Sequence, residues 1–150
     1  MVIVLSPVAG LRQEVSDVPD PVFAAGMVGP GAAIAPRPGK QRVVAPIDGR
    51  LVKLYPHAFV VVSDKGPGVL VHLGIDTVQM NGEGFTLLVA QDARVLAGDE
   101  IIAWDPEYVE ETGRSAMCAV VVLDCPYPAR ALTDHGSEVD SAQPLFDIEC

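Results

Sequence analysis

The stretch HAFVVVSDKGPGVLVH, residues 57–72, sets two runs of β-branched and apolar residues on either side of Ser-Asp-Lys-Gly-Pro. Such residues suit a pleated, half-buried surface and the Gly/Pro gap marks a chain reversal, so the spacing predicts an antiparallel hairpin. A turn about Asp64-Lys65 pairs residues whose numbers sum to 129, which sets His57 opposite His72. Directly opposed side chains share one face with Cβ atoms about 4.5–5.5 Å apart. A bulge at Gly66-Pro67 would slip the pairing by one residue and send the rings to opposite faces.

Similar runs recur outward from this hairpin: VVAPIDGRLVKL (43–54), VLVHLGIDTVQM (69–80), FTLLVA (85–90), RVLAGDEIIAW (94–104), MCAVVVLD (117–124) and LFDIEC (145–150). Each is a short apolar or alternating segment bounded by turn formers, and 14 Gly and 13 Pro in 150 residues disfavour long helices. The expected fold is all-β: an antiparallel sandwich or barrel-like single domain over residues 1–150, with one or two short helices. Asp20 before Pro21 predicts a brief helix toward Gly26, and DPEYVEETG (105–113) predicts a second, capped by Asp105 and stopped by Gly113. Asn81-Gly82 predicts a two-residue hairpin, and RPGKQR (37–42) a surface loop.

The amino end has no basic region before its brief apolar run, and no window reaches the eighteen or so apolar residues needed to cross a bilayer. Three cysteines, Cys118, Cys125 and Cys150, fall in no C-x-x-C pattern, which argues against a disulfide framework or a thiolate metal site and for a cytoplasmic chain. Residues 1–98 hold eight acids and eight Lys or Arg, whereas residues 99–150 hold twelve acids and two Arg, so the net charge of −10 lies in the last third. Nucleic acid is thereby excluded as a partner, since a phosphate backbone rewards clustered positive charge. The acidic third reads as a solvated surface.

Two facing imidazoles admit three chemistries: a metal site, an acid–base pair, or a phosphohistidine with a neighbour that hydrogen-bonds the phosphoryl oxygens. His72 and Asp76 form H-x-x-x-D, a spacing found in lysostaphin-like zinc peptidases, and with His57 they could supply the three ligands of a zinc-dependent hydrolase. Those enzymes also need a downstream H-x-H, and only His135 is left. Val22, Phe23, Met27 and Val28 cluster as either a plug of the barrel end or a docking rim. APIDGRLV and VLAGDEI resemble the edges of biotinyl and lipoyl domains, but none of Lys40, Lys53 and Lys65 sits in the hairpin-tip setting those domains require.

Taken together, VPDPVFAAGMVGPGAAIAP (18–36), VVAPIDGRLVKL, HAFVVV and VLAGDEII, with VHLGIDTVQMNGEGF (71–85) the most specific, resemble the glucose-type enzyme IIA of the phosphoenolpyruvate sugar phosphotransferase system. The resemblance covers at least residues 16–103. It implies a small β-sandwich that accepts a phosphoryl group from the histidine-containing phosphocarrier protein and passes it to a cysteine of a IIB domain, with no metal or cofactor and no insertion into the membrane. It implies His72 as the phosphorylated residue, His57 as the ring that holds the phosphoryl oxygens, and Asp76 as a group that orients the loop. Val22, Phe23, Met27, Val28 and Val78 match the apolar rim, which favours docking over plugging. In some relatives the unphosphorylated form also inhibits other transporters or enzymes, a class of target the sequence leaves open, as it does the sugar. Many relatives place a Thr two residues before the first histidine; here Tyr55 stands there, followed by Pro56, so the contact orienting His57 falls to the Tyr55 hydroxyl, a backbone carbonyl or water. Leu70 and Leu73 stand where Phe is common.

Overall fold

The computed structural model describes residues 1–150. Fourteen short strands follow one another along the chain. They are β1 (Val2–Leu5), β2 (Gly10–Gln13), β3 (Gly31–Pro36), β4 (Gln41–Val44), β5 (Gly49–Tyr55), β6 (Ala58–Val62) and β7 (Gly68–Leu73). After them come β8 (Phe85–Leu87), β9 (Arg94–Val95), β10 (Glu100–Trp104), β11 (Cys118–Leu123), β12 (Arg130–Ala131), β13 (Glu138–Val139) and β14 (Pro144–Ile148). The main sheet has the order β13-β2-β3-β11-β7-β6-β5-β9, and two three-stranded sheets, β4-β10-β8 and β1-β14-β12, complete the architecture. Every pairing is antiparallel, as the all-β reading expects.

The two helices form where their caps predict. Helix α1 (Pro21–Ala24) starts under the Asp20 carboxylate, which accepts from the backbone N–H of Val22 at 2.9 Å and of Phe23 at 3.4 Å. Helix α2 (Pro106–Glu111) is capped in the same way by Asp105.

Period-two alternation gives the main sheet two apolar faces. Val69, Val71 and Leu73 of β7, with Cys118, Val120 and Val122 of β11, enter a core of 27 buried residues that reaches from Val4 to Ile148. The intervening residues face the other way, where Ala33, Ala119 and Val121 join Val18, Phe23 and Ile75 in a second cluster of six. Segment 15–25, including α1, lies over that outer face, and His72, two residues after Leu70 on β7, is on the same side.

Several expectations are corrected. The β6–β7 hairpin pairs residues summing to 130, with Ala58 opposite His72 and Phe59 opposite Val71. Its loop holds three residues, Asp64 to Gly66, closed by the Ser63 N–H donating to the Pro67 carbonyl, with Gly66 at φ +112°. Asn81-Gly82 is not a hairpin, because β8 pairs with β10 and a 3-10 turn, Thr77–Met80, fills the connection. The predicted surface loop ends earlier, since Gln41 and Arg42 already belong to β4. Cys125 and Cys150 form a disulfide, against the expectation drawn from the odd cysteine count, and leave Cys118 buried as a thiol. Strands β1, β2, β3, β12 and β13 lie outside the runs read as strands in the sequence. In β2 the polarity is inverted, with Leu11 exposed and Arg12 buried in an ion pair with Glu14, so no apolar alternation marks it.

Candidate functional site

His72 is placed by β7 on the outer face of the main sheet between two small partners, Ala58 on β6 and Ala119 on β11. Alanine at both cross-strand positions leaves the imidazole room that a branched residue would fill. Immediately beyond the strand the chain turns through Gly74 at φ +75° and returns its carbonyl oxygen to 2.6 Å from His72 Nδ1. A carbonyl only accepts, so Nδ1 bears the hydrogen and the neutral ring keeps its lone pair on Nε2. The turn is close-packed: a Cβ at Gly74 would stand 2.6 Å from Thr77 Cγ2 and 2.9 Å from the Ser115 carbonyl. Thr77 fastens it by donating from Oγ1 to the Leu73 carbonyl at 2.7 Å.

His57 reaches His72 by another route than a facing pair on two strands. It sits with Pro56 in the two-residue turn closed by Tyr55 and Ala58, just outside the ladder, so strand alternation does not decide its direction. Its carbonyl accepts from the Leu73 N–H at 2.7 Å, which ties the turn to the end of β7. The two imidazole centroids are 5.3 Å apart at 71°. Tyr55 packs on His57 at 5.9 Å and 30°, and Phe23 meets His72 edge-on at 5.4 Å. Neither ring nitrogen of His57 has a hydrogen-bond partner in the chain, and the Tyr55 hydroxyl does not supply one.

Burial disfavours the charged form of both rings. Burial pushes His72 below the ordinary histidine value, opposed by the Gly74 carbonyl and by the Asp20 and Asp76 carboxylates. Burial also lowers His57, and proximity to His72 lowers it further. The Asp76 carboxylate is the smallest of these contributions. Asp76 stands at φ +60° before the 3-10 turn without capping it by its side chain, and its carbonyl accepts from Arg114 Nε at 3.2 Å.

The zinc reading fails on geometry, since no group of three His, Cys, Asp or Glu side chains, His57, His72 and Asp76 included, is placed to hold a metal ion. The five rim residues divide. Val22, Met27 (75% exposed) and Val78 (62% exposed) are open apolar surface, Val28 is half-buried, and Phe23, at 8%, is buried and meets the His72 ring. Sequence reasoning passed over Gly74, Ala58, Ala119, Thr77 and Asp20. A glycine directly after the apolar run VLVHL was the available signal for the first, and the alanines showed none without the register.

An all-antiparallel β-sandwich with two half-buried imidazoles 5.3 Å apart, one of them held through Nδ1 so that Nε2 is free, suits a protein that transfers a group through histidine. The family model of the phosphoenolpyruvate-dependent sugar phosphotransferase system EIIA 1 matches residues 2–126, and the chain belongs to this family. It is 39% identical over 123 residues, 81% of this chain and 73% of the relative, to the PTS system glucose-specific EIIA component of Bacillus cereus. The protein of the same name from Staphylococcus aureus is 37% identical over 148 residues, 97% of this chain and 88% of that one. The glucose permease IIA from Mycoplasma capricolum superposes with a TM-score of 0.87 at 31% identity, over 97% of this chain and 94% of the other. The chain is accordingly a phosphoryl carrier of the sugar phosphotransferase system, working through a phosphohistidine between the phosphocarrier and the IIB side of a permease. No helix is long and apolar enough to cross a membrane.

Proposed function

We propose that His72 Nε2 is the atom that carries the phosphoryl group. The observation behind this is the 2.6 Å contact from Nδ1 to the Gly74 carbonyl, which fixes the tautomer and leaves the nucleophilic pair on Nε2. In the accepting step the nitrogen–phosphorus bond of the phosphocarrier's histidine breaks as the Nε2–phosphorus bond forms, and the donor nitrogen recovers its electron pair. In the delivering step a thiolate of the IIB domain forms the sulfur–phosphorus bond and Nε2 recovers its pair, so neither step needs a net proton. Such transfers depend on position and on stabilising charge on the equatorial oxygens. A neutral His57 has one ring N–H in either tautomer, and at 5.3 Å between centroids it can donate that hydrogen to a phosphoryl oxygen.

Val22, Met27 and Val78 form the docking surface, with Val28 at its edge and Phe23 supporting it from below; Asp76 sets the charge around His72. The partners are the histidine-containing phosphocarrier protein and a IIB domain, and a cytoplasmic place is supported by the family alone, since the Cys125–Cys150 bridge removes the cysteine argument for it. Residues 1–150 act as one IIA domain, a reading supported by a core that joins Val4 to Ile148. The relatives' names specify glucose, which makes a glucose-type IIB the first acceptor to assay.

Incubation with phosphoenolpyruvate, the first enzyme of the system and the phosphocarrier should add one acid-labile phosphate to the wild type and none to His72→Gln. An equal gain in the variant overturns the assignment. His57→Gln should accept phosphate and deliver it poorly to a IIB cysteine, and normal delivery would remove its assigned role.

A further inference from the structure

His72 is oriented by a hydrogen bond, but His57 is not. Its backbone is held through the Leu73 N–H, whereas both ring nitrogens lack a partner in the chain, so nothing polar stops the imidazole from rotating away. Two rings lie beside it: His72, edge-on with centroids 5.3 Å apart at 71°, and Tyr55, two residues earlier at the closing pair of the same turn, tilted by 30° with centroids 5.9 Å apart. Tyr55 is half exposed, its hydroxyl makes no hydrogen bond in the chain, and Pro56 beside it packs near Gly82, whose Cβ would lie 3.5 Å from Pro56 Cγ.

We propose that Tyr55 is the positioning residue of His57, acting through its ring and not its hydroxyl. The inference rests on His57 serving delivery of the phosphoryl group. Offset aromatic packing restricts rotation about the His57 side-chain torsions while leaving both nitrogens free, one of them to donate to a phosphoryl oxygen. The electron-rich face of the phenol ring also stabilises positive charge that develops on the imidazole as its N–H is drawn toward that oxygen. Phenylalanine offers the same face, so the hydroxyl is dispensable, whereas a small residue removes both effects.

The test compares delivery to an isolated IIB domain for wild type, Tyr55→Phe, Tyr55→Ala, His57→Gln and the Tyr55→Ala/His57→Gln double variant. Tyr55→Phe should match the wild type. Tyr55→Ala should lower kcat about three- to tenfold, the worth of one aromatic pair, with KM little changed. In the His57→Gln background Tyr55→Ala should do nothing more. A rise in KM alone would make Tyr55 a docking contact and overturn the proposal, as would an undiminished loss in the double variant. If His57→Gln delivers normally, the role of His57 has failed and not the packing. Proton NMR separates the two, because ring-current shifts on the His57 imidazole protons should persist in Tyr55→Phe and vanish in Tyr55→Ala, and their absence in the wild type would refute the contact.

Discussion

The Gly74 carbonyl oxygen lies 2.6 Å from His72 Nδ1, two residues away along the chain, and that contact requires backbone that only glycine adopts without strain at φ +75°. Gly74→Ala would push a methyl group to 2.6 Å from Thr77 Cγ2 and 2.9 Å from the Ser115 carbonyl. The expected cost is about 1–3 kcal/mol in a urea titration. Displacement of the carbonyl should also slow phosphate acceptance roughly 10- to 100-fold, since ångström-scale misplacement at a reacting centre has effects of that order. An unaltered acceptance rate would show that the ring is held by something else.

On the proposal that His72 Nε2 takes the phosphoryl group, acceptance needs a neutral ring, and burial holds its folded-state value below the ordinary 6.5. Activity should therefore persist as pH falls through 6.5 and decline only below the folded value, a profile followed by the imidazole proton shifts in an NMR titration. Stability moves in the same sense. Between the folded and unfolded values the unfolded chain binds more protons, so the contribution of His72 and of the similarly lowered His57 is complete above about 6.5 and shrinks as pH drops below it. Urea midpoints measured down this range should fall less steeply for His72→Gln than for the wild type.

Much of this was legible before the structure. The strand character of β5, β6, β7, β10 and β11 and both helix caps follow from residue type and turn formers, because those features act locally. The meeting of the histidines was expected for a reason that does not hold. The facing register is wrong by one residue because Gly66 lengthens the loop, yet the rings meet because His57 occupies a turn where alternation no longer applies. The alanines beside His72, the carbonyl of Gly74 and the bridge from Cys125 to Cys150 depend on which distant strands become neighbours. No local pattern encodes that.

Asp20 joins α1 to His72, for its carboxylate caps the helix and also favours the charged form of the His72 ring. Asp20→Asn keeps a good cap and removes the charge, so His72 should titrate lower still while the thermal midpoint barely moves. Asp20→Ala should in addition lose about 1 kcal/mol of stability with the cap. A His72 titration indifferent to Asp20→Asn would cut this link.

Met27 and Val78 are the most exposed of the apolar residues proposed as the docking surface. Met27→Glu and Val78→Glu place a charge where a partner should bury a hydrocarbon surface. KM for the phosphocarrier should rise by about tenfold or more, in line with losing over 1 kcal/mol at a buried interface position. Surface substitutions of this kind change stability by less than about 0.5 kcal/mol, so thermal midpoints check that the fold is intact. An unchanged KM in both variants would move the docking surface elsewhere.

The disulfide should matter to stability and not to transfer. Cys125 and Cys150 are 25 residues apart, and closing a loop of that length stabilises a folded chain by about 3.5 kcal/mol in the chain-entropy account. Dithiothreitol, or Cys150→Ser, should therefore lower the thermal midpoint. On β11 it is Ala119 that pairs with His72, whereas Leu123 pairs with Gly68 and Cys125 follows beyond it. At about 3.3 Å per residue, this puts the bridge past the far end of the strand from the reacting ring. Phosphate acceptance by the reduced, still folded protein should therefore match that of the oxidised form. Thiol titration of the unfolded, unreduced protein should find one group, Cys118, and reduction should raise the count to three. Three thiols without reduction would show that the bridge does not form, while a slowed acceptance on reduction would show that strain at the far end of β11 is felt at His72.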